Sequence, residues 1–207
     1  MFSVQGGTSF GLLEDCFAVL MCSFFVKQRV VGNKTEGALI LLARDLGVNY
    51  EEIRASTPHH RLWTFSSERK RMSVIIRRRE GGFRLLCKGA PESLLRDTGS
   101  VLGFDMQESA LDGATRKNIT GAIHAMASRG LRTLGLAYRD FDSDPGWHDD
   151  APAPDNADLV FVGVVGIKDP VRAEVPDAVR KCREAGITVR MVTGDNEITA
   201  RFISKEC

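Results

Sequence analysis

The sequence predicts an α/β chain: an α+β unit followed by the beginning of a doubly wound parallel sheet. Three observations carry this. Apolar spacing is helical up to about residue 55, then changes to short β-branched or aromatic runs from Arg61 onward. An acidic, Pro-rich stretch, DSDPGWHDDAPAPDNAD at 142–158, reads as a surface loop. Beyond it the pattern is β-α-β-α, with near-continuous apolar strands of the kind buried on both faces.

The segment Met1–Gly11 has no clear period. Leu12–Phe25 reads as a helix. Its apolar run, Phe17–Val26, is well short of the ~20 residues a membrane span needs. Glu14 and Asp15 precede it, where a signal peptide would carry positive charge. Thr35–Leu46 reads as a second helix, with Thr35 placed to cap it and a stripe of Ala38, Leu39, Leu42, Ala43 and Leu46. Gly47 suits its end. Tyr50–Ala55 reads as a short helix before Pro58.

Strands are expected at Arg61–Ser66, Met72–Arg79 and Phe83–Lys88, the last two joined as a hairpin through Gly81-Gly82. Pro91 begins a short helix through Glu92–Arg96, where its missing N–H costs little. Asp112–Ser128 reads as a long helix stopped by Gly130, and Arg132–Arg139 as a strand. After the acidic loop come a strand at Leu159–Ile167, a helix at Val175–Ala185 stopped by Gly186, a strand at Ile187–Val192 and a helix at Asn196–Lys205. Two strands do not complete a parallel sheet, so Ile187–Val192 is expected to expose an apolar edge.

Lys and Arg total 28 against 27 for Asp and Glu, and the net charge of +1 gives no global drive toward nucleic acid or anionic membrane. The five cysteines, at 16, 22, 87, 182 and 207, are odd in number and lack CxxC or Cys/His ligand spacing. That argues against a disulfide framework or a zinc site and for a reducing compartment. Arg69-Lys70-Arg71 and Arg77-Arg78-Arg79 suggest a basic patch, but neutral charge and the lack of a recognisable module argue against nucleic-acid binding.

Six stretches stand out in order: Gly32-Asn33-Lys34-Thr35-Glu36, Phe65-Ser66-Ser67-Glu68-Arg69-Lys70, Lys88-Gly89-Ala90-Pro91-Glu92, Arg132-Thr133-Leu134, Asp169-Pro170-Val171-Arg172 and Thr193-Gly194-Asp195-Asn196. Together they resemble the nucleotide-binding domain of P-type ATPases and the returning half of their phosphorylation domain. GITVRMVTGDN, with DPVR before it, looks most like the plasma-membrane calcium-transporting type. The resemblance covers roughly residues 30–207 and implies an ATP-binding domain over 1–168, incomplete at its start. A partial, doubly wound, haloacid-dehalogenase-like phosphorylation domain follows over 169–207.

The residues fit that chemistry. Phe65 ends a strand among polar residues, where its ring can stack on adenine; the ordinary alternative is a core Phe. Lys88 offers three donors to a nucleotide, and Gly89 permits close backbone approach. Lys70 on a neighbouring strand is placed to reach the same pocket, or else is a solvated face residue. Glu36 is either a first-turn acid near the helix dipole or, by the resemblance, a partner of the adenine amino group. Arg132 has the planar fork suited to phosphate, or makes a surface salt bridge. The resemblance makes Asp169 and Arg172 the interdomain hinge. It also places Thr193, Gly194 and Asp195 on the phosphoryl and Mg2+ side; the alternative is a strand-to-helix turn capped by Asp195 or Asn196.

Phosphoryl transfer in this family goes through an aspartyl phosphate, and the sequence contains neither the DKTGT nucleophile motif nor GDGxND. By the family's order these would lie upstream of Met1 and beyond Cys207. The chain is therefore expected to bind ATP without turning it over alone. Its partners would be the phosphorylation, actuator and transmembrane domains of an intact pump at the cytosolic face of a membrane. Two rival expectations remain: a stand-alone non-catalytic nucleotide-binding or regulatory module, and a dehalogenase-like phosphatase, for which a DKT nucleophile is missing.

Overall fold

The computed structural model describes residues 3–5, 24–26, 29–31, 33–103, 105–144, 147 and 151–207. Its strands are β1 (Ser3–Gln5), β2 (Phe24–Val26), β3 (Arg29–Val31), β4 (His59–Ser66), β5 (Arg71–Arg77), β6 (Phe83–Gly89), β7 (Thr98–Leu102), β8 (Glu108–Ala110), β9 (Leu131–Phe141) and β10 (Leu159–Lys168). Its helices are α1 (Lys34–Asp45), α2 (Tyr50–Ser56), α3 (Pro91–Arg96), α4 (Gly113–Ala127), α5 (Val175–Glu184) and α6 (Glu197–Glu206).

Eight strands form one mixed sheet in the order β4-β5-β6-β9-β10-β7-β8, with β1 also paired to β10. The β4 to β10 neighbours run antiparallel, and β10 meets β7 in parallel. Alternation sorts the side chains. Val74, Ile76, Leu86, Leu136 and Tyr138 face α1, which contributes Leu39, Ile40, Leu42 and Ala43. Ile75, Leu85, Cys87 and Ala137 face α3 and α4, which contribute Leu94, Leu95, Ile123 and Met126. A register shift between Phe161 and Gly163 lets Val160 and Val162, then Val165 and Ile167, all face the α1 layer. Burial pushes the Cys87 thiol up to about 12.

The hairpin turn at Gly81 and Gly82 has φ of 99° and 74°, a backbone only glycine adopts freely. Gly130 ends the α4 segment at φ 72°.

Several expectations need correction. Leu159–Ile167 does not begin a second sheet: β10 lies inside the single sheet, between β9 and β7. Ile187–Val192 forms no strand, and Ile187, Val189, Met191 and Val192 are exposed. Backbone groups there have no neighbouring strand among the described residues, and apolar content alone does not make a ladder. The helix expected at Leu12–Phe25 lies mostly outside the described residues, but Phe24–Val26 at its end is a strand paired with Arg29–Val31. β7 and β8 were not expected. The N-cap of α1 is Asn33 rather than Thr35. Lys70 stands in the turn before β5, not on a strand.

Only half of the basic patch faces solvent: Lys70, Arg77 and Arg79 are exposed, and the other three are engaged within the fold. Arg71 is buried against Asp97, Arg69 pairs with Asp155 at 2.7 Å, and Arg78 pairs with Asp140 at 3.3 Å.

Candidate functional site

The candidate residues collect along one end of the sheet. Antiparallel pairing puts Ser66, the end of β4, opposite Arg71, the start of β5, and Arg71 opposite Gly89 at the end of β6. Gly89 lies opposite Gly135 on β9, and Lys168, the end of β10, lies opposite Leu131 at the start of β9. Phe65 on β4 is thus three strand spacings from β9, about 14 Å.

The N-terminal turn of α1 crosses this edge and binds to three points on it. Asn33 caps the helix by accepting from the Thr35 N–H at 2.8 Å. Glu36 pairs with Lys88 at 2.8 Å, Arg132 donates to Thr35 Oγ1 at 3.1 Å, and Lys34 lies 3.8 Å from Asp169. The Glu36 and Lys88 side chains are only 13% and 8% exposed. An ion pair so buried needs both partners, and removing one leaves the other uncompensated.

Phe65 is 62% exposed, the one aromatic among the large exposed apolar side chains of the described residues. Lys70 is also exposed and has φ 55°. That left-handed backbone costs of order 1–3 kcal/mol for a non-glycine residue. It is held by the Lys70 N–H donating to the Ser66 carbonyl at 2.7 Å and by the Lys70 carbonyl accepting from Ala90 at 3.0 Å. The lack of a Cβ at Gly89 serves this junction, since one would collide with Arg71 and the Lys70 carbonyl.

On the other side, Arg132 pairs with Asp195: Nη2 donates to Oδ2 at 3.0 Å, and Nε lies 2.9 Å from Oδ1 without hydrogen-bond geometry. Asp195 in turn donates its N–H to Thr193 Oγ1 at 3.0 Å, and Asn196 caps α6 by accepting from Ile198 at 2.8 Å. Thr193 and Gly194 are exposed. A cleft of about 210 Å³ lies here, lined by Lys34, Arg132, Arg172, Asp169 and Asp195 among others. Three cations against two carboxylates suit an anionic ligand.

The structure therefore brings Glu36, Lys88 and Arg132 under one helix turn, Arg132 with Asp195, and Asp169 with Arg172 on the same cleft. Phe65 and Lys70 lie at the opposite end of the edge. Sequence reasoning placed Asn33 and Lys34 in the Gly32–Glu36 stretch without giving either a role, and it missed Asp155. An Asn three residues before Glu36 at a helix start was a readable signal for the cap; Asp155 gave none. Among the described residues no group of three or more His, Cys, Asp or Glu is arranged to hold a metal.

A family model described as P-type ATPase, cytoplasmic domain N, matches residues 21–174. Plasma membrane calcium-transporting ATPase 4 of Homo sapiens is 46% identical over 184 residues, covering 86% of this chain and 15% of its own length. Plasma membrane calcium-transporting ATPase 1 of Gallus gallus is 44% identical over 186 residues, with the same coverage. Plasma membrane calcium-transporting ATPase 3 of Rattus norvegicus is 45% identical over 185 residues, covering 86% of this chain and 14% of its own length. The chain thus spans about 15% of the length of the curated relatives it matches. No helix among the described residues is long and apolar enough to cross a membrane. With its mixed sheet and the match over residues 21–174, this chain belongs to the P-type ATPase cytoplasmic domain N family.

Proposed function

We propose that the chain binds ATP along the sheet edge, as the nucleotide-binding part of a calcium-transporting P-type ATPase of the plasma membrane. The observation that carries this reading is the edge itself. An exposed aromatic, Phe65, stands at one end, and a cation-lined cleft containing Arg132 stands at the other. The calcium assignment rests on what the similar proteins are named to transport.

In this reading Phe65 stacks on adenine, with Lys70, Lys88 and Gly89 around the base and Glu36 accepting from its amino group. Arg132 contacts phosphate oxygens, with Asp195 holding its fork in orientation. Thr193 and Gly194 face the terminal phosphate, and Asp169 with Arg172 forms the hinge that closes the site. Asp195 would help to position the phosphates or the Mg2+ that accompanies them. When bound it neutralises charge on the phosphates.

Residues 169–207 are then the start of the returning half of a dehalogenase-like phosphorylation domain, and residues 1–168 the nucleotide domain, incomplete at its start. In the intact pump the other domains supply the acceptor aspartate, the actuator and the ion path. The site lies on the cytosolic side of the membrane.

The test is calorimetric titration of the chain with ATP. Binding near millimolar, about −4 kcal/mol, is expected. Phe65→Ala should weaken it by roughly 1–3 kcal/mol. Lys88→Ala should weaken it by about 1.5–3 kcal/mol, read alongside thermal melting because Glu36 loses its partner. A folded chain that does not bind ATP, or two variants that bind like wild type, would defeat this reading.

A further inference from the structure

We infer that Asp155, in the acidic loop, is a positioning residue for the nucleotide site: it fixes Arg69, and Arg69 fixes the backbone that presents Phe65 and Lys70. This rests on the ATP-binding reading.

The β4–β5 ladder is irregular next to Phe65. Trp63 pairs with Ser73 and Ser66 with Arg71, so β4 carries one residue more than β5 between these points. Such a bulge leaves backbone groups without ladder partners. The extra residue falls at Thr64–Phe65, where the stacking ring emerges. The Thr64 carbonyl instead accepts from Arg69 Nη2 at 2.8 Å. Arg69 Nη1 donates to Asp155 Oδ2 at 2.7 Å, and the Arg69 carbonyl accepts from Ser93 Oγ at 3.2 Å. One guanidinium thus joins the bulge to the loop and stands just before Lys70.

Asp155 is built for this task. Its side chain is 4% exposed although it lies in a Pro-rich, acidic stretch. Its Oδ2 also accepts from Ser73 Oγ, and its carbonyl accepts from Arg71 Nη1. Arg71 in turn donates to Ser93 and pairs with Asp97. The loop is pinned a second time by Trp63 Nε1 donating to the Ala151 carbonyl at 2.9 Å. A buried carboxylate must be paired to be tolerated, so Asp155 and Arg69 fix each other's place.

The experiment measures ATP affinity of the full 207-residue chain by calorimetry, well below the melting temperature of every variant. Arg69→Lys keeps a cation for Asp155 but replaces the fork with one ammonium, which cannot hold Asp155 and the Thr64 carbonyl in the same geometry. Arg69→Lys and Asp155→Ala should each raise the ATP Kd roughly tenfold. Asp158→Asn, on the same loop but exposed, should leave it unchanged. Adding Phe65→Ala to either variant should cost little more, because the same stacking contact is already impaired. A merely structural role would lower the melting temperature and leave the Phe65 effect undiminished in those backgrounds. Should Asp155→Ala fail to fold, the Arg69→Lys and Phe65→Ala pair decides the matter alone. If Phe65→Ala weakens ATP while folded Arg69→Lys binds like wild type, the role of Asp155 is overturned and the nucleotide reading stands. If the wild-type chain does not bind ATP, both fall.

Discussion

Two apolar runs of similar composition have opposite fates in this chain. Met72-Ser73-Val74-Ile75-Ile76 in β5 is buried on both faces, between β4 and β6 and under helices on either side. Ile187-Thr188-Val189-Arg190-Met191-Val192 is exposed throughout, with Val192 at 96%. A strand is a property of a pairing, not of a segment. What fastens residues 169–207 to the sheet is a helix. In α6, Thr199 donates to the Leu131 carbonyl at 2.9 Å, Asn196 donates to Glu92 at 2.7 Å, and the Phe202 ring packs on Gly130. By contrast α5 has no buried residue.

This contrast can be tested from its strongest point downward. Phe161→Ala, at a fully buried position of β10, should cost about 3–5 kcal/mol in denaturant unfolding. Gly130→Ala combines a left-handed backbone with a clash against Phe202 and should cost about 1–3 kcal/mol. It should also speed amide exchange in α6 more than in β6. Thr199→Val removes one buried hydrogen bond and should loosen α6 by about 1 kcal/mol, with the unfolding midpoint of the sheet little changed. Val192→Asp should stay within roughly 0.5 kcal/mol of wild type. A large loss there would mean that the run is paired in solution, and the contrast would collapse.

The strands legible in the sequence are those that carry their own apolar content: β4, β5, β6, β9 and β10 were anticipated to within a few residues. β7 and β8 were not. Gly99-Ser100 and Glu108-Ser109-Ala110 have little β preference; β7 is a strand because β10 offers it an edge, and β8 because β7 offers the next one. The misreading of Ile187–Val192 is the same lesson reversed. Sequence supplied the residue types along the sheet edge, but not their pairings. Nothing local announces that Glu36 meets Lys88, or that Arg132 meets both Thr35 and Asp195. Asp155 was hidden most completely, because a Pro-rich acidic stretch reads as solvated loop whichever of its carboxylates turns inward.

The place of β10 has a consequence for how the chain is made. It is the last strand in sequence, yet it lies inside the sheet, joining β9 to β7. A ribosome adding 5–20 residues per second needs about 3–12 s to travel the roughly 60 residues from β7 to β10. During that interval β9 completes the β4–β5–β6–β9 ladder, but its far edge is open and β7 has no strand joining it to that ladder, so holdase chaperones have their best chance to bind. Translation that slows within residues 142–158 prolongs this vulnerable state, because the strand that unites the halves has not yet been synthesised.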